Sequence, residues 1–234
     1  MKSKSKEVQI VLEPLKIEVL KLRAVGTSPL VLHAWDEKAI EMMLLKQTQP
    51  KKAIKREKKV PHEQFRGALQ TLKVGKKVVP AIPAHSLKKS AVLACRFVDK
   101  LPMTEARGLI FVKPYNSTGL LPIDTDSVVK VEDVSLANGR IVDKIYYTHI
   151  KKELKMGVSM RRDMVRLATG VADIRFRPHI ETWSIDFEVE YNAGILDAEA
   201  IVNLFSIAGF HCGLGEMRKE RGGNYGAYII EARK

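Results

Sequence analysis

Glycines and basic side chains alternate in the segment between residues 213 and 226. The glycines are Gly213, Gly215, Gly222, Gly223 and Gly226, and the basic residues are Arg218, Lys219 and Arg221. Because glycine lacks a Cβ, its amide can approach a phosphate closely and can adopt positive φ without strain. The segment therefore predicts an anion-binding loop. The alternative is a loop in which the glycines only turn the chain between a helix and a strand.

A second basic segment covers residues 51–59, where only Glu57 opposes the positive charges. Its basic members are Lys51, Lys52, Lys55, Arg56, Lys58 and Lys59. Such strong mutual repulsion is typical of a surface loop that is mobile in isolation. The segment is either a contact for a polyanion or a solvated loop with no partner.

The residues from Pro83 to Lys89 predict the beginning of a helix. Pro83 presets the backbone before a first turn, and Ser86 is the expected N-cap. The amides at a helix N-terminus attract anions, and the charges of Lys88 and Lys89 would strengthen that attraction. An ordinary capped helix with solvated lysines is the alternative.

Four more arginines and one tyrosine are candidates for contact with a strand of nucleic acid. Arg161 and Arg162 lie in a basic section, whereas Arg175 and Arg177 share one face of a strand, opposite Ile174 and Phe176. These side chains would contact phosphates or would only be solvated. Tyr225 could stack on a base, as could Trp35 and Trp183, although large aromatic side chains usually pack in a core.

The motifs of the common catalytic and metal sites are missing from the sequence. No two of the six histidines have metal-ligand spacing, and no Cys-x-x-Cys or Gly-x-Ser-x-Gly motif occurs. Gly213-Leu-Gly215 follows a helical stretch, which argues against a dinucleotide site. We therefore expect no cofactor, no metal and no enzymatic activity. Asp36 is predicted to be the N-cap of a helix that ends near Gln47.

Composition indicates a folded protein with a polyanionic partner. The chain has 234 residues, 45% of them hydrophobic, and 40 Lys+Arg against 27 Asp+Glu give a net charge of +13. That excess favours nucleic acid over other partners. Cys95 and Cys212 are expected to be buried free thiols. The N-terminus has no apolar leader and no run is long enough to span a membrane, so we expect a cytoplasmic protein.

The periodicity of apolar residues predicts an α+β fold of the ferredoxin-like type. After a first strand region within 8–32, the expected order is helix 86–98, strand 107–113, strand 185–191, helix 197–208 and strand 226–231. This βαββαβ order places both helices on one face of an antiparallel sheet and leaves the other face free for a ligand. Gly209 is expected to end the second helix as a left-handed residue. Asn138-Gly139 predicts a hairpin over Val128–Ile145.

Two segments together resemble the RAMP superfamily, whose members form the backbone of CRISPR guide-RNA effector complexes. Val79-Pro-Ala-Ile-Pro-Ala-His85-Ser86-Leu-Lys88-Lys89 resembles the family's entry into the first helix, and the loop at 213–226 resembles its C-terminal glycine-rich loop. The resemblance implies one domain over 1–234, a ferredoxin-like core lined up along single-stranded RNA, and insertions at about 48–62 and 114–170 that grip it.

These observations predict a non-catalytic protein that binds single-stranded nucleic acid, with RNA favoured over DNA by the resemblance alone. Copies of the chain would assemble head-to-tail along the strand, with other CRISPR effector subunits as further partners and no membrane. The alternatives are a phage-encoded mimic that inserts into or inhibits an effector complex, and a phage single-stranded DNA-binding protein. A third is an RNA-cleaving subunit, because some family members place an aspartate near the position of Asp36.

Overall fold

The structure, a computed structural model, describes residues 14–48, 60–125, 151–166 and 169–232. The basic segment 51–59 and the predicted hairpin Val128–Ile145 lie outside these ranges. The strands are β1 (Ile17–Gly26), β2 (Leu30–Val31), β3 (Thr71–Val74), β4 (Lys77–Pro83), β5 (Ile110–Lys113), β6 (Leu120–Pro122), β7 (Ser159–Arg166), β8 (Ala172–Ile180), β9 (Ser184–Asn192) and β10 (Tyr228–Ala232). The helices are α1 (Glu37–Thr48), α2 (Pro61–Gly67), α3 (Ala84–Ala94), α4 (Met103–Leu109), α5 (Lys151–Lys155) and α6 (Ala198–His211).

Four strands form the central sheet in the order β10-β1-β9-β5, and every neighbouring pair is antiparallel. Helices α3 and α6 pack on each other and against this sheet. The order of strands and helices along the chain is therefore βαββαβ with the spatial order 4-1-3-2, which is the ferredoxin-like arrangement. The predicted fold class is confirmed. One predicted boundary is wrong: residues 107–109 end α4, and only Ile110–Lys113 form the strand.

The sheet face that points away from the helices carries paired charges. Lys21 lies opposite Glu188 and Arg23 lies opposite Asp186 in the register of β1 and β9. On β5, the Lys113 Nζ is 2.9 Å from a carboxylate oxygen of Glu190. Together with Glu231, which is opposite Arg23 on β10, four acids face three bases. The face that the sequence leaves free for a ligand is thus slightly acidic, and a polyanion gains nothing from it.

The segments between the core elements build two smaller sheets, β2-β8-β7 and β3-β4-β6. Helix α2 packs against β8, where the Gln64 Oε1 accepts a hydrogen bond of 3.3 Å from the Phe176 amide. Leu30, Met160 and Ile180, all buried in the first of these sheets, belong to the same hydrophobic cluster as the central core. The sheet β2-β8-β7, called the second sheet from here on, is therefore fixed to the ferredoxin-like core by shared packing.

Helix α6 ends later than the sequence predicts. It continues to His211, so Gly209 lies inside the helix, without positive φ. The left-handed residue that follows the helix is Gly213, with φ +72°, and its amide donates to the Ala208 carbonyl at 2.9 Å. The prediction for Gly209 is wrong because this glycine packs against Tyr228 of β10, a contact between elements that local sequence does not reveal.

Both cysteines are free and buried, as the sequence predicts. Burial raises the pKa of the Cys212 thiol to about 11, with the negative charge of Glu220 adding to that increase. Burial also raises the pKa of Cys95. Neither thiol is poised for chemistry, because the reactive form is the thiolate. Within the described ranges, no helix is long and apolar enough to cross a membrane.

Candidate nucleic-acid interface

The glycine loop, residues 212–226, folds tightly on itself and against β2. A Cβ on Gly223 would collide with the Met217 carbonyl, and a Cβ on Gly226 would collide with the Leu214 carbonyl. The Glu216 amide donates to the Val31 carbonyl at 2.8 Å, which ties the loop to β2. The glycines are therefore required by close approach of the backbone to other parts of the same chain.

Most glycine amides of the loop already have partners inside the protein. The bonds are Gly213 N to Ala208 O at 2.9 Å, Gly222 N to Lys219 O at 2.9 Å, Gly223 N to Arg218 O at 3.1 Å and Gly226 N to Pro29 O at 2.8 Å. These four amides are not free to hold a phosphate, so the predicted backbone cradle does not form there. The alternative, in which the glycines turn the chain, describes them better. Any anion bound by this loop must be held mainly by its side chains.

One group of predicted contact residues is joined inside the second sheet. The Asp163 carboxylate lies 2.6 Å from the Arg161 Nε and 3.4 Å from an Nη of Arg177, and all three side chains are largely buried. Arg161 also donates to the Tyr225 hydroxyl and lies 4.5 Å from the centroid of that ring. This network fastens the glycine loop to β7 and β8. Its arginines therefore stabilise the fold instead of facing a ligand.

Two further arginines are neutralised within the chain. The Arg175 Nε is 3.0 Å from Asp173, and Arg218 lies 2.8 Å from Glu220 while donating to the Gly215 carbonyl at 3.0 Å. Beside them, a hydrogen bond with His33 lowers the pKa of the half-buried Glu216 carboxyl, although burial opposes that shift. The sequence places these arginines in a binding site, whereas the structure gives each an acidic partner.

The cations of α3 have a different environment. His85 and Lys89 are exposed one helical turn apart, and Lys88 is half-buried beside them. Arg96 is exposed in the 3₁₀ turn that continues α3. Within the described part of the chain, the side chains of Lys88, Lys89 and Arg96 have no acidic partner. These charges are available to an external anion.

The N-terminus of α3 also differs from the sequence prediction. The N-cap is Pro83, with no side-chain cap, and Ser86 is the third residue of the helix. Ser86 is therefore not the cap that the sequence predicts. The Ala84 amide donates to the Gly119 carbonyl at 2.9 Å, whereas the amides of His85 and Ser86 belong to the first turn of α3, where an amide has no i−4 carbonyl within the helix. The first turn of α3 thus has the partial positive charge of a helix N-terminus, near His85 and Lys89.

Buried hydrogen bonds hold helix α3 against the glycine loop. The Ser90 hydroxyl donates to the Gly213 carbonyl at 3.1 Å, and the buried Tyr228 hydroxyl donates to Ser90 at 3.3 Å. On the loop, the Arg221 side chain is 67% exposed and its Nε lies 3.5 Å from a carboxylate oxygen of Glu220, while Lys219 lies against the ring of Phe210. We call this region the basic surface, which consists of His85, Lys88, Lys89, Arg96, Lys219 and Arg221.

The sequence singled out every member of the basic surface except Arg96. Arg96 follows Lys89 by seven residues, which is close to two helical turns, so helical spacing could have revealed it. Arg162 is exposed on β7, on the opposite side of that strand from Arg161. Trp183 is buried and its indole donates to the Ser28 carbonyl at 2.8 Å, in agreement with packing, whereas Trp35 is exposed.

Asp36 caps α1, as the sequence predicts. Its carboxylate accepts a hydrogen bond of 3.2 Å from the Lys38 amide, and its carbonyl accepts from the amides of Ala39 and Ile40. In the described ranges, no group of three or more His, Cys, Asp or Glu side chains is arranged to hold a metal ion. These contacts agree with the predicted capping role of Asp36.

Comparison with known proteins yields a structural likeness only. No protein-family model matches the sequence, and no curated protein matches it significantly. The crystal structure of Cmr6 from Pyrococcus furiosus is similar with a TM-score of 0.37 and 11% sequence identity, over 93% of this chain and 100% of that chain. The ferredoxin-like assignment itself comes from the strand order of the central sheet.

Proposed function

We propose that this protein binds single-stranded nucleic acid through the phosphates of the strand and does not cleave it. The net charge of +13 attracts a polyanion. The acidic sheet face and the ion-paired arginines around Asp163 do not offer a binding site for a polyanion. The basic surface holds Lys88, Lys89 and Arg96, which have no acidic partner among the described residues, and Arg221, whose Nε lies 3.5 Å from a carboxylate oxygen of Glu220.

The observation that carries the proposal is the position of Lys89 and Arg96. Both side chains are exposed without an acidic partner in the described ranges; Lys89 lies one turn after the first turn of α3, and Arg96 lies in the 3₁₀ turn that follows the helix. A phosphate at the first turn of α3 gains the charge of Lys89 and the partial positive charge of the helix N-terminus, and Arg96 would contact another phosphate of the same strand at the opposite end of the helix. This combination favours the backbone of a strand over base-specific readout.

RNA and a role as a CRISPR-type backbone subunit are part of the same proposal. Two features support it: the Val79–Lys89 and 213–226 motifs that resemble the RAMP superfamily, and the 4-1-3-2 order of the central sheet. Copies of the chain would bind side by side along one RNA, with other effector subunits as partners. Residues 51–59, which lie outside the described ranges, would add phosphate contacts.

Assembly along a strand predicts that the mass of the complex grows with the length of the RNA. Mass photometry with oligouridylates of increasing length should show complexes that gain one protein mass at regular intervals of added length. A single protein bound at every length would contradict the side-by-side arrangement while leaving binding itself intact.

Binding by the basic surface predicts a specific loss in the double variant Lys89→Ala/Arg96→Ala. We expect its affinity for an oligouridylate at moderate salt to fall about tenfold or more. The slope of log K against log salt should shrink by about 1.4, because about 0.7 counterions are released per phosphate contact on a single strand. Fluorescence anisotropy over a series of KCl concentrations measures both quantities, and gel analysis of the same RNA should show it intact.

The matched control is Lys21→Ala/Lys113→Ala, which removes the same charge from the acidic sheet face. We expect this control to bind like the wild type, apart from a small uniform effect of net charge. Equal losses in the two double variants would show that only net charge matters. A wild-type affinity that does not change with salt would overturn the proposal.

A further inference from the structure

Three aromatic rings form an exposed cluster where α3 and α6 end. The rings of Phe97 and His211 are stacked, with centroids 4.2 Å apart and planes 14° apart. Phe210 meets His211 edge-on, with centroids 4.9 Å apart and planes at 86°. The 3₁₀ turn after α3 positions Phe97, and the last turn of α6 positions the other two.

The cluster is unusual because its rings are open to solvent. Phe97 is 55% exposed and Phe210 is 63% exposed, so neither contributes fully to the hydrophobic core. Exposed aromatic rings in contact with one another mark a binding surface more often than a scattered exposed side chain does. His211 covers one face of Phe97. The exposure of Phe97 leaves room for a flat partner to extend the stack.

Two positive charges lie beside these rings. The Lys219 Nζ lies 4.1 Å from the centroid of Phe210, a cation–π contact. Arg96 precedes Phe97, and it lies close enough to Cys212 to influence the pKa of that thiol. The occupant must therefore combine a flat π-face with negative charge nearby. Unpaired nucleotides have both features, and aromatic rings inside an electropositive groove are how single strands are commonly held.

We propose that Phe97 and Phe210 stack on unpaired bases of the strand whose phosphates contact the basic surface. This inference rests on the proposed function and adds a base-stacking site to it. Stacking of this kind accepts any base, since every base has a π-face. The site therefore strengthens binding without selecting a sequence.

A base-free strand separates stacking from phosphate contact. Anisotropy would compare an oligothymidylate with an abasic strand of the same length and charge, using the wild type and the double variant Phe97→Ala/Phe210→Ala. We expect the wild type to bind the oligothymidylate about tenfold more tightly. The double variant should lose about tenfold in affinity for that strand and nothing for the abasic one. Phe97→Tyr/Phe210→Tyr, which keeps the rings, should bind like the wild type.

The chain offers a matched control in Phe111. This phenylalanine is 49% exposed on the acidic face of the central sheet, where it lies opposite Glu190. Phe111→Ala removes the same exposed ring without touching the proposed site, so both affinities should stay unchanged. The thermal unfolding midpoints of all variants verify that each is folded.

Each of the other outcomes refutes the stacking site, and each has a different meaning for the proposed function. If Phe97→Ala/Phe210→Ala binds both strands like the wild type, stacking is refuted while the proposed function stands. Equal losses for both strands would place these rings in phosphate binding or folding, which also refutes stacking. If Phe97→Ala/Phe210→Ala differs from the wild type in oligomeric mass without any strand present, the cluster is a contact between copies instead, and stacking is refuted. A wild type that binds neither these strands nor the oligouridylate would overturn the inference and the proposed function together.

Discussion

Replacing Asp163 with alanine should lower the free energy of unfolding by about 3–5 kcal/mol, because two largely buried arginines would lose their shared acidic partner. Asp163 contacts Arg161 at 2.6 Å and Arg177 at 3.4 Å, from the centre of the β7–β8 pair. The Arg177 Nε is already buried without a hydrogen-bond partner among the described residues. If the carboxylate of Asp163 is removed, the guanidinium of Arg177 therefore loses its acidic partner while it stays buried. Urea denaturation followed by circular dichroism measures the loss.

The neighbouring Arg162 provides the control for Asp163. Its side chain is exposed on the other face of β7, and Arg162→Ala should change stability by no more than about 0.5 kcal/mol. If Asp163→Ala is as stable as Arg162→Ala, the network does not hold the second sheet. The arginines around Asp163 would then be available for the ligand after all.

Two helical glycines should respond to alanine in opposite directions. A Cβ on Gly209 in α6 would overlap the Tyr228 carbonyl and also press on the Tyr228 ring. A backbone oxygen cannot move aside without separating α6 from β10, so we expect Gly209→Ala to cost about 2–3 kcal/mol. Gly108 in α4 has no atom within 4 Å of the Cβ position. We expect Gly108→Ala to stabilise the protein by about 0.5–1 kcal/mol through helix propensity.

Thermal and urea unfolding of the two glycine variants, measured side by side, decide this prediction. Because both substitutions add one methyl group to a helix, the difference between them isolates the contact with Tyr228. Equal stabilisation by Gly209→Ala and Gly108→Ala would mean that α6 does not pack as closely on β10 as the structure describes.

The ferredoxin-like core could be predicted from sequence because each of its elements has its own signal. The alternation in Ile185–Tyr191 and the helical spacing of the apolar residues in α6 define these elements without reference to the rest of the chain. Elements that depend on distant contacts could not be predicted in the same way. The extension of α6 past Gly209 depends on Tyr228, and β2 pairs with β8, which is far from it in sequence.

In the candidate site, too, some residues could be recognised from local sequence and others depend on distant contacts. Lys88 and Lys89 could be recognised as helix-entry charges from local sequence, and the structure leaves them unpaired among the described residues. Arg161 and Arg177 are indistinguishable from these lysines in the sequence. Their pairing with Asp163 appears only when β7 and β8 align in register. The glycines of the 213–226 loop were likewise open to two interpretations until their carbonyl neighbours were known.

Lysine acetylation footprinting with mass spectrometry tests most directly whether the basic surface is where a strand binds. Adding a saturating oligouridylate should protect Lys88, Lys89 and Lys219 from acetylation, while Lys21 on the acidic sheet face should react as it does in the free protein. Protection of Lys21 together with full reactivity of Lys88, Lys89 and Lys219 would place the strand on the sheet face and contradict the account.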